Sequence, residues 1–245
     1  MEGTYKIADT VIRISSLYSS VHSLCEDYRT DEPVDIGISI SESDIVYERE
    51  KSAAEDRFEG HPVTPYPPDY LETLAVYRKI ACRLVSRNTL FFHGSAIAVD
   101  GKCCIFTAKS GTGKSTHTAL WRKKYGERCV MINDDKPLIT VNDKGITVFG
   151  TPWNGKHRLG ENTSAELKAI CLLERDTTNH IEKVSFFEIL PFIVSQTFRP
   201  ADAGLAAATM QLIRELGNRC EFYRLGCNME DEAAEVSFNG MHLKE

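Results

Sequence analysis

Apolar positions along the chain change period several times, and those changes divide it. Residues 5–15 alternate loosely, with Ile7, Val11, Ile12 and Ile14, and predict a short strand or hairpin. Residues 16–28 carry Leu17, Val21 and Leu24 on one helical face and predict a helix. Residues 34–40 alternate apolar with small or polar side chains, the pattern of a half-buried strand. Residues 50–68 turn charged and then proline-rich, with Pro62, Pro65, Pro67 and Pro68. That composition predicts a connection holding neither a helix nor a central strand. Asp69 then reads as an N-cap, and Leu71, Leu74, Tyr77, Ile80 and Leu84 follow at helical spacing, predicting a helix over 69–86 whose apolar stripe packs into a core.

Beyond it, two hydrophobic segments flank a tight Asp100-Gly101 turn, and the second, ending at Thr107, runs into Ala108-Lys109-Ser110-Gly111-Thr112-Gly113-Lys114-Ser115-Thr116. The spacing fits a Walker A phosphate loop with Ala at the first position, opening a helix over 114–124. Glycines let backbone N–H groups turn inward on phosphates, and the helix that follows presents its positive end. Ser110, Gly111, Thr112, Gly113, Lys114, Ser115 and Thr116 are thus the candidate nucleotide-binding residues. Lys114 would reach the terminal phosphates and Ser115 would bind Mg²⁺. Further on, 128–132 predicts a buried strand, and 138–141 and 146–149 form a hairpin around Asn142-Asp143-Lys144-Gly145. Strands over 167–173 and 220–225 and helices over 185–195, 203–216 and from about Glu230 complete the pattern.

Composition narrows the partners. Of 245 residues, 42% are hydrophobic and 26% charged, as in a soluble globular protein. The net charge is −6, and the only basic cluster is Arg122-Lys123-Lys124, so nucleic acid and anionic membrane surfaces are poor partners. No apolar run is long enough to span a bilayer, and the first residues lack a signal-peptide pattern. The eight cysteines form no C-x-x-C pair and sit mostly in apolar segments, which implies reduced thiols, a cytoplasmic setting and no zinc site.

Three further features bear on chemistry. Asp134 and Asp135 end a strand about twenty residues after Lys114, where a Walker B-type carboxylate belongs, although Asn133-Asp134-Asp135-Lys136-Pro137 is also good turn chemistry by itself. His93 lies in an apolar segment, where a histidine is either a core residue or a site residue. The loop Gly150-Thr151-Pro152-Trp153-Asn154-Gly155-Lys156-His157 offers Lys156 and His157 as anion contacts or as plain surface residues, and Trp153 as a stacking or packing ring. Arg175 and Arg199 are phosphate or acceptor clamps, or ordinary ion-pair residues.

His93-Gly94, a strand, a turn, a second strand and Ser110-Gly111-Thr112-Gly113-Lys114-Ser115 resemble the catalytic domain of HPr kinase/phosphorylase. The interval from His93 to Lys114 matches that family, and Asn133-Asp134-Asp135 stands where the family has its Asp-Asp pair. The loop is also similar to that of ATP-dependent phosphoenolpyruvate carboxykinase. The likeness is close over residues 90–141 and looser to Arg175. It implies an α/β fold: a P-loop domain of HPr kinase and carboxykinase type with a mixed central sheet over 69–245, preceded by a small N-terminal α+β unit and Pro-rich connection over 1–68. It implies Asp134 as base toward the acceptor hydroxyl, Asp135 on the metal side with Ser115, and His93 as their partner. The chain departs from the family after the acidic pair, where the signature Glu-x-Arg-Gly-x-Gly aligns with Thr147-Val148-Phe149-Gly150-Thr151-Pro152. The expected activity is therefore a Mg²⁺-dependent ATP kinase acting on a serine-like hydroxyl of a protein, peptide or small molecule, with catalytic Asp134, His93 and Lys114 and with Lys156, His157 and Arg175 as acceptor or phosphate contacts. The alternatives are a non-catalytic ATP-binding scaffold and a carboxykinase-type lyase. The related kinases assemble, which implies a homo-oligomer, and residues 203–216 are apolar enough for an interface.

Overall fold

The computed structural model describes residues 1–58 and 60–243. Glu59, inside the expected connection, and the last two residues of the expected second domain lie outside the described residues. The chain divides into two compact units, Met1–Arg83 and Leu84–Glu245. The division thus falls after Arg83 rather than after Pro68, and nearly all of the helix expected to open the second domain goes with the first.

The first unit opens with the hairpin β1 (Glu2–Ile7) and β2 (Thr10–Ser15), and β3 (Ile36–Ser39) adds to β2 in parallel. Tyr5, Ile7, Ile12 and Ile14 face its core. The helix expected over 16–28 is reduced to α1 (Ser20–Leu24) and one tight turn at Glu26–Tyr28. The Glu72 carboxylate explains the shortening, because it accepts from Leu17 N at 2.6 Å and Tyr18 N at 3.0 Å and holds that stretch out of a helix. A larger correction is α2 (Glu42–Phe58), which occupies the start of the supposed connection. Only Ile45 and Glu48 are buried on it. Asp44 and Glu48 instead meet Arg78 and Lys79 of α3 (Pro68–Val85) at 2.5–3.3 Å. Pro68 takes the first helical position, where a missing N–H costs nothing.

The second unit is built on a nine-stranded mixed sheet. Its strands are β4 (Thr89–Phe91), β5 (Ser95–Val99), β6 (Lys102–Thr107), β7 (Cys129–Asn133), β8 (Leu138–Asn142), β9 (Gly145–Phe149), β10 (Ser164–Arg175), β11 (His180–Val184) and β12 (Glu221–Cys227). The main order is β4-β8-β9-β10-β6-β5-β7, with β12 parallel to β10 and β11 antiparallel to β12. Strict alternation splits the side chains between two cores. Ala96, Ala98, Cys103 and Ile105 face α5 (Phe186–Gln196) and α6 (Ala203–Arg219), while Ile97, Val99, Cys104 and Phe106 face α4 (Lys114–Tyr125) and α7 (Glu232–Gly240). Helices therefore cover both faces. Local signals set their ends: Ser185 forms a capping box with Glu188, and the Asp202 carboxylate accepts from Leu205 N at 2.9 Å.

The eight cysteines are thiols and form no disulfide. Burial pushes the Cys25 thiol up to about 12 and the Cys227 thiol up to about 11, so they pack as neutral small side chains. Among the described residues, no helix is long and apolar enough to cross a membrane.

Candidate functional site

The central strand β6 ends at Thr107, and the chain turns through Ala108–Gly113 into α4. Gly111 has φ +75° and Gly113 has φ +126°, backbone that other residues adopt only under strain. A methyl group at either would meet open space. Gly113 caps α4 without a side-chain acceptor, and the first N–H groups of a helix have no intrahelical partner. Lys114 Nζ donates to Ala108 O at 3.3 Å, folded back over the loop. Burial lowers its pKa, while the nearby Asp135 carboxylate works against that shift. Arg175 Nε donates to Thr112 O at 3.2 Å and Nη2 to Gly111 O at 2.6 Å. Arg175, expected as a phosphate or acceptor contact, thus braces two loop carbonyls and also lines both clefts beside the loop.

The acidic pair closes β7, two strands away from β6 through β5. Its turn is organised by Asn133, which is wholly buried. The Asn133 Oδ1 accepts from Asp135 N at 2.8 Å and Lys136 N at 2.6 Å, and its Nδ2 donates to Thr151 O at 3.2 Å. The stretch is a side-chain-stabilised turn, and the turn splays the two carboxylates. Asp134 is 8% exposed, and its Oδ1 accepts from Gly155 N at 2.5 Å. The Asp135 Oδ1 lies 3.3 Å from His93 Nε2 and its Oδ2 lies 3.1 Å from Lys136 Nζ. His93 is itself fixed through its backbone, donating to Gln196 O at 2.8 Å and accepting from Thr107 Oγ1 at 3.0 Å. It is not a core histidine, since its side chain is 42% exposed.

Burial alone would raise the Asp135 pKa. The His93 hydrogen bond and the Lys136 charge outweigh it and hold the group at about 2, against an ordinary 3.8. A lowered carboxylate pKa gives stability that is present above the ordinary value and lost as pH falls through the folded one. Between about pH 4 and pH 2, the wild type should therefore lose more stability than Asp135→Asn, read as urea midpoints along an acid series. Parallel loss in both proteins would mean that the His93 and Lys136 contacts do not hold the charge.

Other expected site residues are placed less centrally. Lys156 and His157 are exposed on the loop just past Gly155, whose amide is anchored on Asp134. Trp153 is buried and meets Phe91 edge-on at 6.3 Å, so it is a packing ring. Ser115 and Thr116 are exposed on the first turn of α4. Among the described residues no group of three or more His, Cys, Asp or Glu side chains is placed to hold a metal ion. Two clefts open beside the glycine loop, on its β10 side. One, about 490 Å³, is lined by Lys109, Ser110, Leu172, Glu174 and Phe192 among others. The second, about 460 Å³, is lined by Gly113, Thr116, His117, Asp176, Cys227 and Met229 among others. Nothing local in the sequence distinguishes His117 from a core residue of α4.

Fold and site together define a mixed α/β protein in which a glycine loop follows β6 and an acidic turn follows β7, with β5 between the two strands. No family model matches the chain, and no curated protein matches it. Among solved structures it is similar to the Hpr(Ser) kinase/phosphatase from Coxiella burnetii, with 12% identity and a TM-score of 0.30, over 51% of this chain and 88% of that one. Such a likeness is distant and does not assign an activity.

Proposed function

We propose that the second unit is an ATP-dependent phosphotransferase, a divergent relative of the HPr kinases, that moves the γ-phosphoryl group to a hydroxyl. The observation that carries this reading is the glycine loop that opens α4 with Lys114 Nζ folded over it, 3.3 Å from Ala108 O, together with an Asp135 carboxylate kept ionised by His93 and Lys136. Phosphoryl transfer needs little covalent chemistry from a protein; it needs positioned positive charge and a place for the acceptor's proton. Loop amides and Lys114 would take the phosphate charge. Asp134, with Oδ1 held by the Gly155 amide, would receive the acceptor's proton on its second oxygen. His93 keeps Asp135 oriented. Lys156, beside Gly155, is a candidate for the acceptor's anionic group.

The donor set suits Mg²⁺, which prefers hard oxygen ligands and is commonly held by one or two protein oxygens plus substrate phosphates. The Ser115 hydroxyl and the ionised Asp135 carboxylate would hold it, and when bound it would neutralise charge on the phosphates.

Thermal unfolding tests the reading. A ligand that binds only the folded state at about 100 times its Kd adds about 2.7 kcal/mol, or on the order of 5–10 °C for a chain of this size. Mg²⁺ with ATP should shift the wild type by this amount and Lys114→Ala hardly at all. No shift in the wild type would remove the phosphate-loop reading. A shift without transfer of label from ATP to any hydroxyl would instead favour an ATP-binding module without catalysis.

A further inference from the structure

The second cleft beside the glycine loop is lined by a residue with a buried ring nitrogen that has no partner among the described residues. His117, one turn into α4, is 2% exposed, and its Nδ1 has no hydrogen-bond partner among the described residues. Its other nitrogen is accounted for, and that settles the tautomer. Ser237 Oγ lies 3.0 Å from Ala233 O and 3.1 Å from Ala234 O, so its single proton is donated back into α7. Trp121 Nε1 can only donate, and it does so to the same oxygen at 2.9 Å. His117 Nε2, 3.0 Å from that oxygen, is left as a second donor. Burial pushes the His117 pKa down to about 4, so the ring is neutral. A neutral imidazole with its proton on Nε2 has a lone pair on Nδ1.

An unpaired buried acceptor is costly unless something supplies a donor. The cleft that His117 lines is bounded by the glycine loop at Gly111 to Gly113 and by Met229, whose side chain is 79% exposed. A flexible, polarizable thioether at a cleft mouth suits the face of a flat ring. The acidic pair lies on the β7 side of β6, and this cleft lies on the β10 side. A nucleotide whose terminal phosphate points at the acidic pair would extend its other end this way. We propose that this cleft takes the nucleoside part of a nucleotide, with His117 Nδ1 accepting a hydrogen bond from an amine of the base or the 2′-hydroxyl of the ribose. The inference rests on the phosphate-binding reading of the loop.

Calorimetric titrations with Mg²⁺ plus tripolyphosphate, ATP, ITP or 2′-deoxy-ATP separate the two readings. The wild type should bind ATP at least about tenfold tighter than tripolyphosphate, the effect of roughly one good buried hydrogen bond with some ring contact. His117→Leu should lose that advantage while tripolyphosphate affinity stays unchanged. Met229→Glu, an exposed change that leaves the fold alone, should reduce the advantage as well. Weaker ITP with normal 2′-deoxy-ATP would identify the base amine as donor; the reverse would identify the ribose hydroxyl. ATP binding no tighter than tripolyphosphate would overturn the cleft assignment and leave the phosphate loop standing. Failure of both ligands to bind would overturn both. If ITP and 2′-deoxy-ATP each match ATP, or if Met229→Glu binds as the wild type does, the assignment also falls.

Discussion

Asp134→Asn should leave nucleotide binding intact and lower phosphoryl transfer by roughly 10²–10⁴-fold, the usual range for a positioned general base. The substitution is nearly isosteric. An asparagine oxygen can still accept from the Gly155 amide, and the backbone is held independently because Ser95 Oγ donates to Asp134 O at 3.1 Å. What disappears is a carboxylate able to take a proton from a hydroxyl. The comparison requires two readouts, thermal shift with Mg²⁺ and ATP, and label transfer to an accepted hydroxyl substrate. Transfer at the wild-type rate would sink the assignment of Asp134 as base, while loss of the thermal shift would mean that it holds the nucleotide instead.

Gly150→Ala should be the most damaging single methyl group in the second unit. A Cβ at that position would lie 1.9 Å from Glu161 O and 2.7 Å from Ile132 O, both backbone atoms that no rotamer change can clear. The surrounding chain is tied down, since Gly150 N donates to Thr163 O at 2.9 Å and Glu161 N donates to Met131 O at 3.1 Å. Relief must break one of these bonds or pull the strand end apart. Overpacking against backbone costs about 3 kcal/mol or more, which is on the order of 10 °C in this size range. Gly37→Ala is the control: it meets nothing within 4 Å, and its effect should stay within about 1 kcal/mol. A Gly150→Ala midpoint equal to that of the control would show that the 159–163 segment does not lie across Gly150. Because the Thr151 carbonyl and the Gly155 amide follow on the same loop, the variant should also disturb the setting of Asn133 and Asp134.

The parts legible in the sequence are those whose causes are local. The β5 and β6 alternation, the Asp100-Gly101 turn, the glycine spacing after Thr107 and the Asn142–Gly145 hairpin each carry their signal within a few residues. α2 was not legible because it has no apolar stripe: its helix formers and its Asp44 and Glu48 contacts to Arg78 and Lys79 do the stabilising, and those partners are 30–35 residues away. β11 is an edge strand with little buried surface, so alternation gave no contrast. The turn chemistry of Asn133 could be read from its neighbours, but its bond to Thr151, 18 residues on, could not. The same limit applies to Arg175, whose grip on Gly111 and Thr112 spans more than 60 positions, and to His117, whose partner Ser237 lies 120 positions away.

That grip has a kinetic meaning. If the loop binds phosphate as proposed, one already fastened at two carbonyls would have little conformational freedom left to surrender when an anion arrives, so capture would be limited by encounter rather than by rearrangement. Dissociation would then be governed by whatever else faces the anion, on the proposed reading Lys114 above all. Severing the brace with Arg175→Gln would show itself first in the association rate, a quantity that an equilibrium titration alone would not separate from a weaker contact.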